Sequence, residues 1–138
     1  MQRSETFHDN KLSLDVKTYR NLEGIFQRGL FETAISLEPE NLECLVGLGD
    51  LYAREESYRE SNTIDQKLVE LCPEEPRFQY NLACSSSLLG EIKEGLLALE
   101  KALELGFDDL DLILRDQDLD SVRETDEFFD LLARFSDE

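Results

Sequence analysis

The feature that most constrains this chain is a pattern of apolar and helix-ending residues that recurs every 34 positions. Pro39 and Pro73 are 34 residues apart. Two further series keep the same spacing: Ala34, Leu68 and Ala102, and Leu37, Leu71 and Leu105. A fixed period of this length is typical of stacked supersecondary units, each of which needs its neighbours to bury its apolar face. We therefore expect a short array of repeats.

The pattern inside each unit is helical. In residues 42–75 the apolar side chains recur three or four positions apart in two runs, separated by a polar break at residues 54–57. The second run ends before Pro73, which cannot continue a helix. Pro76 suits the first turn of a new helix, and Gly90 and Gly106 suit the residue that follows one. No stretch has the two-residue period of a half-buried strand, so we predict an all-α chain of antiparallel helix pairs.

The period also divides the chain. It places units at about 8–41, 42–75 and 76–109, followed by a capping segment at 110–138. Residues 1–14 are polar and without pattern, so we expect a frayed N-terminus before a single helical domain at 15–138. The first unit carries an apolar stripe made of Tyr19, Leu22, Phe26, Leu30, Ala34 and Leu37. Gly24 and Gly29 lie within this stretch, which leaves open whether residues 15–38 form one helix or two.

Residues 24–109 resemble tetratricopeptide-repeat (TPR) proteins. The family's first-helix pattern, W-x2-L-G-x2-Y, is matched by Leu45, Leu48, Gly49 and Tyr52. Its second-helix pattern, A-x3-F-x2-A with a later proline, is matched in part by Phe31, Ala34 and Pro39, by Tyr58 and Pro73, and by Leu99 and Ala102. The chain departs from the pattern at Ser61, Asp65, Gly95 and Phe107. The resemblance implies a short right-handed solenoid.

The resemblance also implies a binding groove, because the first helix of each TPR unit lines a concave face that holds extended or helical peptides. The matching positions in this chain are Asp50, Arg54, Arg77, Tyr80, Asn81, Cys84 and Leu88. Family members often use an asparagine such as Asn81 to hydrogen bond to a ligand's backbone. Val46 and Asp50 stand where binding of an acidic chaperone tail would need lysine and asparagine, so that role is disfavoured. The alternative is a solvated inner wall without a ligand.

Charge limits the partners. The net charge is −18, and residues 104–138 alone carry thirteen acidic and three basic residues. Such a field repels nucleic acid and anionic membrane surfaces, and it would steer a basic protein toward the C-terminal third. We expect a protein or peptide partner, with a second copy of the chain as an alternative, and neither nucleic acid nor membrane.

Catalytic and metal-binding groups are sparse. His8 is the chain's one histidine and falls in the polar N-terminus, so no Ser–His or Cys–His pair is expected from the helices. Residues 116–127 have acidic side chains at positions one, three, five and twelve of a calcium loop, namely Asp116, Asp118, Asp120 and Glu127. Ser121 replaces the turn glycine of such a loop, and Arg123 is a cation beside the would-be ion. Helix capping by Asp116 and Asp118 is the simpler interpretation.

The leading hypothesis from the sequence is a non-catalytic adaptor, without a cofactor, that binds a peptide or helix of another protein. The alternatives are a structural or self-associating subunit of a larger complex, and a calcium-responsive binder through residues 116–127. Three cysteines without CxxC spacing are typical of free thiols in a reducing compartment. The N-terminal residues lack the apolar segment of a secretory signal, which favours a cytoplasmic location.

Overall fold

The computed structural model describes residues 15–136, the side chain of Tyr19 excepted, so the predicted frayed segment at 1–14 lies outside it. Regular structure in the described range is entirely helical, which confirms the all-α prediction there. The helices are α1 (Val16–Leu37), α2 (Leu42–Arg54), α3 (Tyr58–Leu71), α4 (Pro76–Leu88), α5 (Ile92–Glu104), α6 (Leu110–Arg115), a 3-10 turn (Gln117–Leu119), α7 (Asp120–Arg123) and α8 (Asp126–Ser136).

The longer helices stack in chain order. From α1 to α5, each helix packs against the next one, and the 3-10 turn, α7 and α8 then pack back onto α4 and α5. The links between α1 and α5 are three or four residues long, which is the length that joins antiparallel neighbours. This arrangement is that of a helical-repeat array.

Local sequence determines where the helices begin and end. Asn41 caps α2, its Oδ1 accepting a hydrogen bond from the Cys44 backbone N–H at 3.0 Å. Pro76 is in the first turn of α4, where its missing N–H is no loss. Gly90 and Gly106 follow α4 and α5 with φ of +76° and +101°, a backbone conformation that glycine adopts without strain. The predicted boundaries at Pro76, Gly90 and Gly106 are confirmed.

The first unit differs from the expectation. Residues 16–37 form one continuous helix, and four residues of the predicted apolar stripe are exposed: Leu22, Phe26, Leu30 and Leu37, with Phe26 67% exposed. The side that contacts α2 instead includes Gly24 and Phe31, whose ring lies so close to Gly47 that a Cβ there would meet it at 2.6 Å. Helix α1 has one described helical neighbour, so one side of it is covered and the stripe is left in solvent.

The core lies in the C-terminal half, where α4 and α5 pack against the closing segment, the part of the chain from Leu110 to Ser136 that was predicted as a cap. Its largest fully buried side chains are those of Leu99, Ile113, Leu119, Val122 and Phe128. A Cβ on Gly95 would lie 2.9 Å from the Val122 side chain, so α7 approaches α5 closely because that position has no side chain. The segment predicted as a cap is therefore part of the core.

We expect Phe128→Ala to lower the free energy of unfolding by about 3–5 kcal/mol, because the substitution empties a fully buried ring site. The matched control is Phe129→Ala, which removes the neighbouring ring that is 57% exposed and should cost about 1 kcal/mol or less. Urea unfolding of both variants measures the difference. Equal losses would contradict the placement of the core.

Candidate functional site

A small pocket lies where α2, α3, α4 and the 3-10 turn meet, with a volume of about 140 Å³. Its lining includes five of the seven predicted groove residues, namely Asp50, Tyr80, Asn81, Cys84 and Leu88. It also includes two of the residues considered for calcium, Asp116 and Asp118. Two separate sequence hypotheses therefore meet at one place, because the C-terminal segment folds back onto α4.

Tyr80 on α4 makes two contacts with the C-terminal segment. Its ring stacks on Phe107, with centroids 4.4 Å apart and 8° between the planes. Its hydroxyl donates a hydrogen bond to Asp116 Oδ2 at 2.5 Å. Burial, followed by the neighbouring Cys84 and Asp116, raises the pKa of Tyr80, which keeps the hydroxyl protonated as a donor. Tyr80 is 6% exposed, so it supports the pocket and offers little surface to a partner.

Cys84 contributes a buried thiol beside the same carboxylate. Its Sγ donates to Asp116 Oδ2 at 3.8 Å. Burial and then the charges of Asp116 and Asp118 raise the pKa of this thiol well above its usual range. The neutral thiol is a weak nucleophile and a weak metal ligand, because both roles need the thiolate.

Asp65 on α3 is the most unusual residue of the pocket. It is 6% exposed, and burial raises its pKa to about 6, with Asp50 adding to the effect and Ser85 opposing it. Within residues 15–136, no lysine or arginine nitrogen lies within 4.0 Å of its carboxylate. A buried carboxylate without a cation is costly, so Asp65 destabilises the fold when it is ionised.

A polar layer between α3 and α4 supports Asp65. The Asn62 side-chain amide donates hydrogen bonds to the hydroxyls of Ser85 at 2.9 Å and Ser86 at 3.1 Å. Gln66 Nε2 in turn donates to Asn62 Oδ1 at 2.7 Å. Because these groups are satisfied by each other, they fix the position of α3 against α4 and hold Asp65 at the pocket wall.

Two predicted groove residues lie outside the pocket. Arg54 lines a separate cavity of about 800 Å³ between α1 and α2, together with Arg28. Arg77 is exposed at the start of α4, where its Nε donates to Glu75 Oε1 at 3.2 Å. These two arginines do not join the five residues at the pocket.

The four residues considered for calcium do not form one site, because Asp116 and Asp118 line the pocket whereas Asp120 and Glu127 do not. Arg123 donates to Asp120 Oδ1 at 2.6 Å and to the backbone carbonyls of Ile113 and Asp116 at 2.8 and 2.6 Å, so it occupies the centre of the would-be loop. Glu127 lines another cavity, between α5 and α8. The geometry is that of a capped turn: Asp116 Oδ1 accepts a hydrogen bond from the Asp118 backbone N–H at 3.0 Å.

Three potential ligand atoms remain close together, because one atom each of Cys84, Asp116 and Asp118 lies within 4.8 Å of the others. Asp65, Ser85 and Tyr58 also line the pocket, and sequence reasoning did not select them. One sign of Asp65 was visible in the sequence, since a carboxylate stands where the TPR pattern has an aromatic residue.

Comparison with known proteins adds a partial relative. No protein-family model matches the chain. The chain is similar to a protein of Arabidopsis thaliana that is named as chloroplastic, with 41% identity over 58 residues. The match covers 42% of this chain and 17% of that protein's length. Among the described residues, no helix is both long and apolar enough to cross a membrane.

We expect Asp65→Asn to remove a pH-dependent cost of folding. A carboxyl whose pKa rises from 3.8 to about 6 on folding binds more protons in the folded state, so stability falls as pH rises between those values. The variant should therefore gain stability relative to the parent by about 3 kcal/mol between about pH 4 and pH 7. Urea unfolding across this range measures it. A difference that does not change with pH would contradict the assignment.

Proposed function

We propose that the chain is a non-catalytic TPR-type module that binds a peptide or helix of another protein at the face formed by α2, α4 and the 3-10 turn. The observation that carries the proposal is the convergence of five predicted groove residues on one pocket. Asn81 and Asp50 are exposed there, while Tyr80 and Cys84 form its floor.

Asn81 is the contact best suited to a peptide backbone. Its side-chain amide is exposed and makes no hydrogen bond with another described side chain, which leaves one acceptor and two donors for a ligand. Because the residue projects from a helix with a packed opposite side, a ligand would meet a pre-formed site. A pre-formed site lowers the entropy cost of binding.

Charge and chemistry support the rest of the proposal. Among the described residues, those that line the pocket include carboxylates and a protonated thiol but no histidine, which favours binding over catalysis. The net charge of −18 favours a basic or neutral protein partner over nucleic acid or an anionic membrane surface. We propose a reducing compartment for the three free thiols: the cytoplasm, or the chloroplast that the relative's name gives.

The groove is tested by capturing a partner from a cell extract on the immobilised chain and measuring its retention. Asn81→Ala should lower the partner's affinity about tenfold, because it removes a hydrogen-bonding amide from the contact surface. Thr63→Ala, an exposed position on α3, is the matched control and should retain the partner fully. Equal retention by the parent and Asn81→Ala would contradict the groove.

A second candidate function is self-association through α1. Its outward side exposes Leu22, Phe26 and Leu30, and no other helix of the described residues covers that side. The helix carries three basic and two acidic residues, so two copies can approach there without the repulsion that the acidic remainder would cause. A helix of 22 residues is about 33 Å long, which suits one antiparallel helix pair.

Sedimentation equilibrium tests this second candidate. We expect a contact through one helix pair to bury less than the usual interface of about 800 Å² per partner, and therefore to give dimers only at micromolar concentrations or above. Phe26→Glu combined with Leu30→Glu should abolish them, because the stripe would then carry charge. The control is Arg59→Glu, an exposed charge change on α3. A parent chain that stays monomeric at high micromolar concentration would rule out self-association.

A further inference from the structure

We propose that the pocket between α2, α3, α4 and the 3-10 turn receives the positively charged end of one lysine or arginine side chain of the partner. The inference rests on the proposed function and states which partner chemistry the site selects. Three features of the pocket favour such a group: the charge of its walls, a buried carboxylate without a cation, and its size.

The walls are acidic and uncompensated. Carboxylates from three elements line the cavity: Asp50 on α2, Asp65 on α3, and Asp116 and Asp118 at the 3-10 turn. Among the described residues, no lysine or arginine lines the cavity, although other carboxylates are paired with Arg28, Arg123 and Arg134. The acidic groups therefore repel each other in the free protein, and a cation placed among them would relieve that repulsion.

The burial of Asp65 without a counter-charge points independently to a ligand. The residue is buried to more than nine-tenths, it borders the cavity, and no cation of the described chain reaches it. The neighbouring Ser85 hydroxyl compensates it only in part, because this hydroxyl also donates to the Leu82 carbonyl at 3.3 Å. An ammonium or guanidinium group in the pocket would supply the missing counter-charge.

The size of the pocket selects a single side chain. Sites for whole small molecules enclose about 300–1,000 Å³, whereas this cavity has about 140 Å³. Tyr58 and Leu88 lie at its border and provide apolar surface for an aliphatic stem. Lysine and arginine bury such stems while their charged ends reach polar groups. A basic side chain therefore fits both the apolar border and the acidic interior.

A metal ion fits less well. The three closest ligand atoms include the Cys84 thiol, which is protonated at neutral pH, and Asp116, whose oxygens already accept hydrogen bonds from Tyr80 and from the Asp118 N–H. Asp65 is not among those three atoms. A metal at this position would leave the buried carboxylate without a partner, whereas a longer cationic group can reach it.

The test is an NMR titration of the ¹⁵N-labelled chain with the capped pentapeptide acetyl-Ala-Ala-Lys-Ala-Ala-amide. We expect shift changes at the backbone amides of residues 49–53, 61–65 and 81–85, and weaker binding as sodium chloride rises from about 0.05 to about 0.5 M. The arginine peptide should bind at the same amides. The matched peptide with Nε-acetyl-lysine, which lacks the charge, should bind at least tenfold more weakly.

Variants locate the effect. Asp65→Asn and Asp50→Asn should each weaken lysine-peptide binding about tenfold, because each removes one charge facing the cation. Asp130→Asn on α8 changes the net charge equally but lies outside the pocket, so it should have little effect. Urea unfolding of each variant confirms that the fold is intact.

Equal binding of the charged and acetylated peptides, or no binding of either, would overturn the inference. So would saturation of the same amides by calcium or zinc alone, with loss on Cys84→Ser, which would identify a metal centre instead. The proposed function is judged separately, because partner capture that depends on Asn81 but not on Asp65 would support the groove and reject the cation pocket.

Discussion

The hydrogen bond between Tyr80 and Asp116 is the contact on which the arrangement of the C-terminal half depends. With the stacking of Tyr80 on Phe107, it holds the C-terminal segment against α4. That attachment brings Val122 over Gly95 and completes the core. It also places the acidic 3-10 turn beside α2 and α3. The same contact therefore closes the repeat array and forms one wall of the pocket.

The pocket is maintained at a cost in stability. An apolar side chain at position 65 would suit the interface between two helices better than a buried carboxylate does. The chain instead places Asp65 beside Ser85, which belongs to a hydrogen-bonded layer with Asn62 and Ser86. Residues that are unfavourable for packing often lie at functional sites. Asp65 is such a residue, and it lines the same cavity as the predicted groove residues. This placement supports a binding role for this face.

The two ends of the array differ in how far their apolar side chains are covered. At the C-terminal end, the closing segment covers α4 and α5, and its apolar side chains complete the core. At α1 no described element does so, and a stripe that includes Phe26 is left exposed. Helix α1 has a net charge close to zero, whereas the remainder of the chain is acidic. The array therefore presents an acidic pocket at one face and an apolar helix at one end, which suits two different kinds of contact.

The sequence by itself determined the helices, their ends and their period. Proline, glycine and capping residues act on the backbone next to them, and the spacing of apolar residues can be recognised within a single helix. The sequence also selected most of the pocket, from Asp50 to Leu88, through the resemblance to TPR units. Only the tertiary structure decided that Asp116 and Asp118 join that pocket, that Arg54 and Arg77 do not, and that Asp65 is buried within it. The reason is distance along the chain: the 3-10 turn meets α4 about 36 residues after Tyr80, and no local pattern encodes that return.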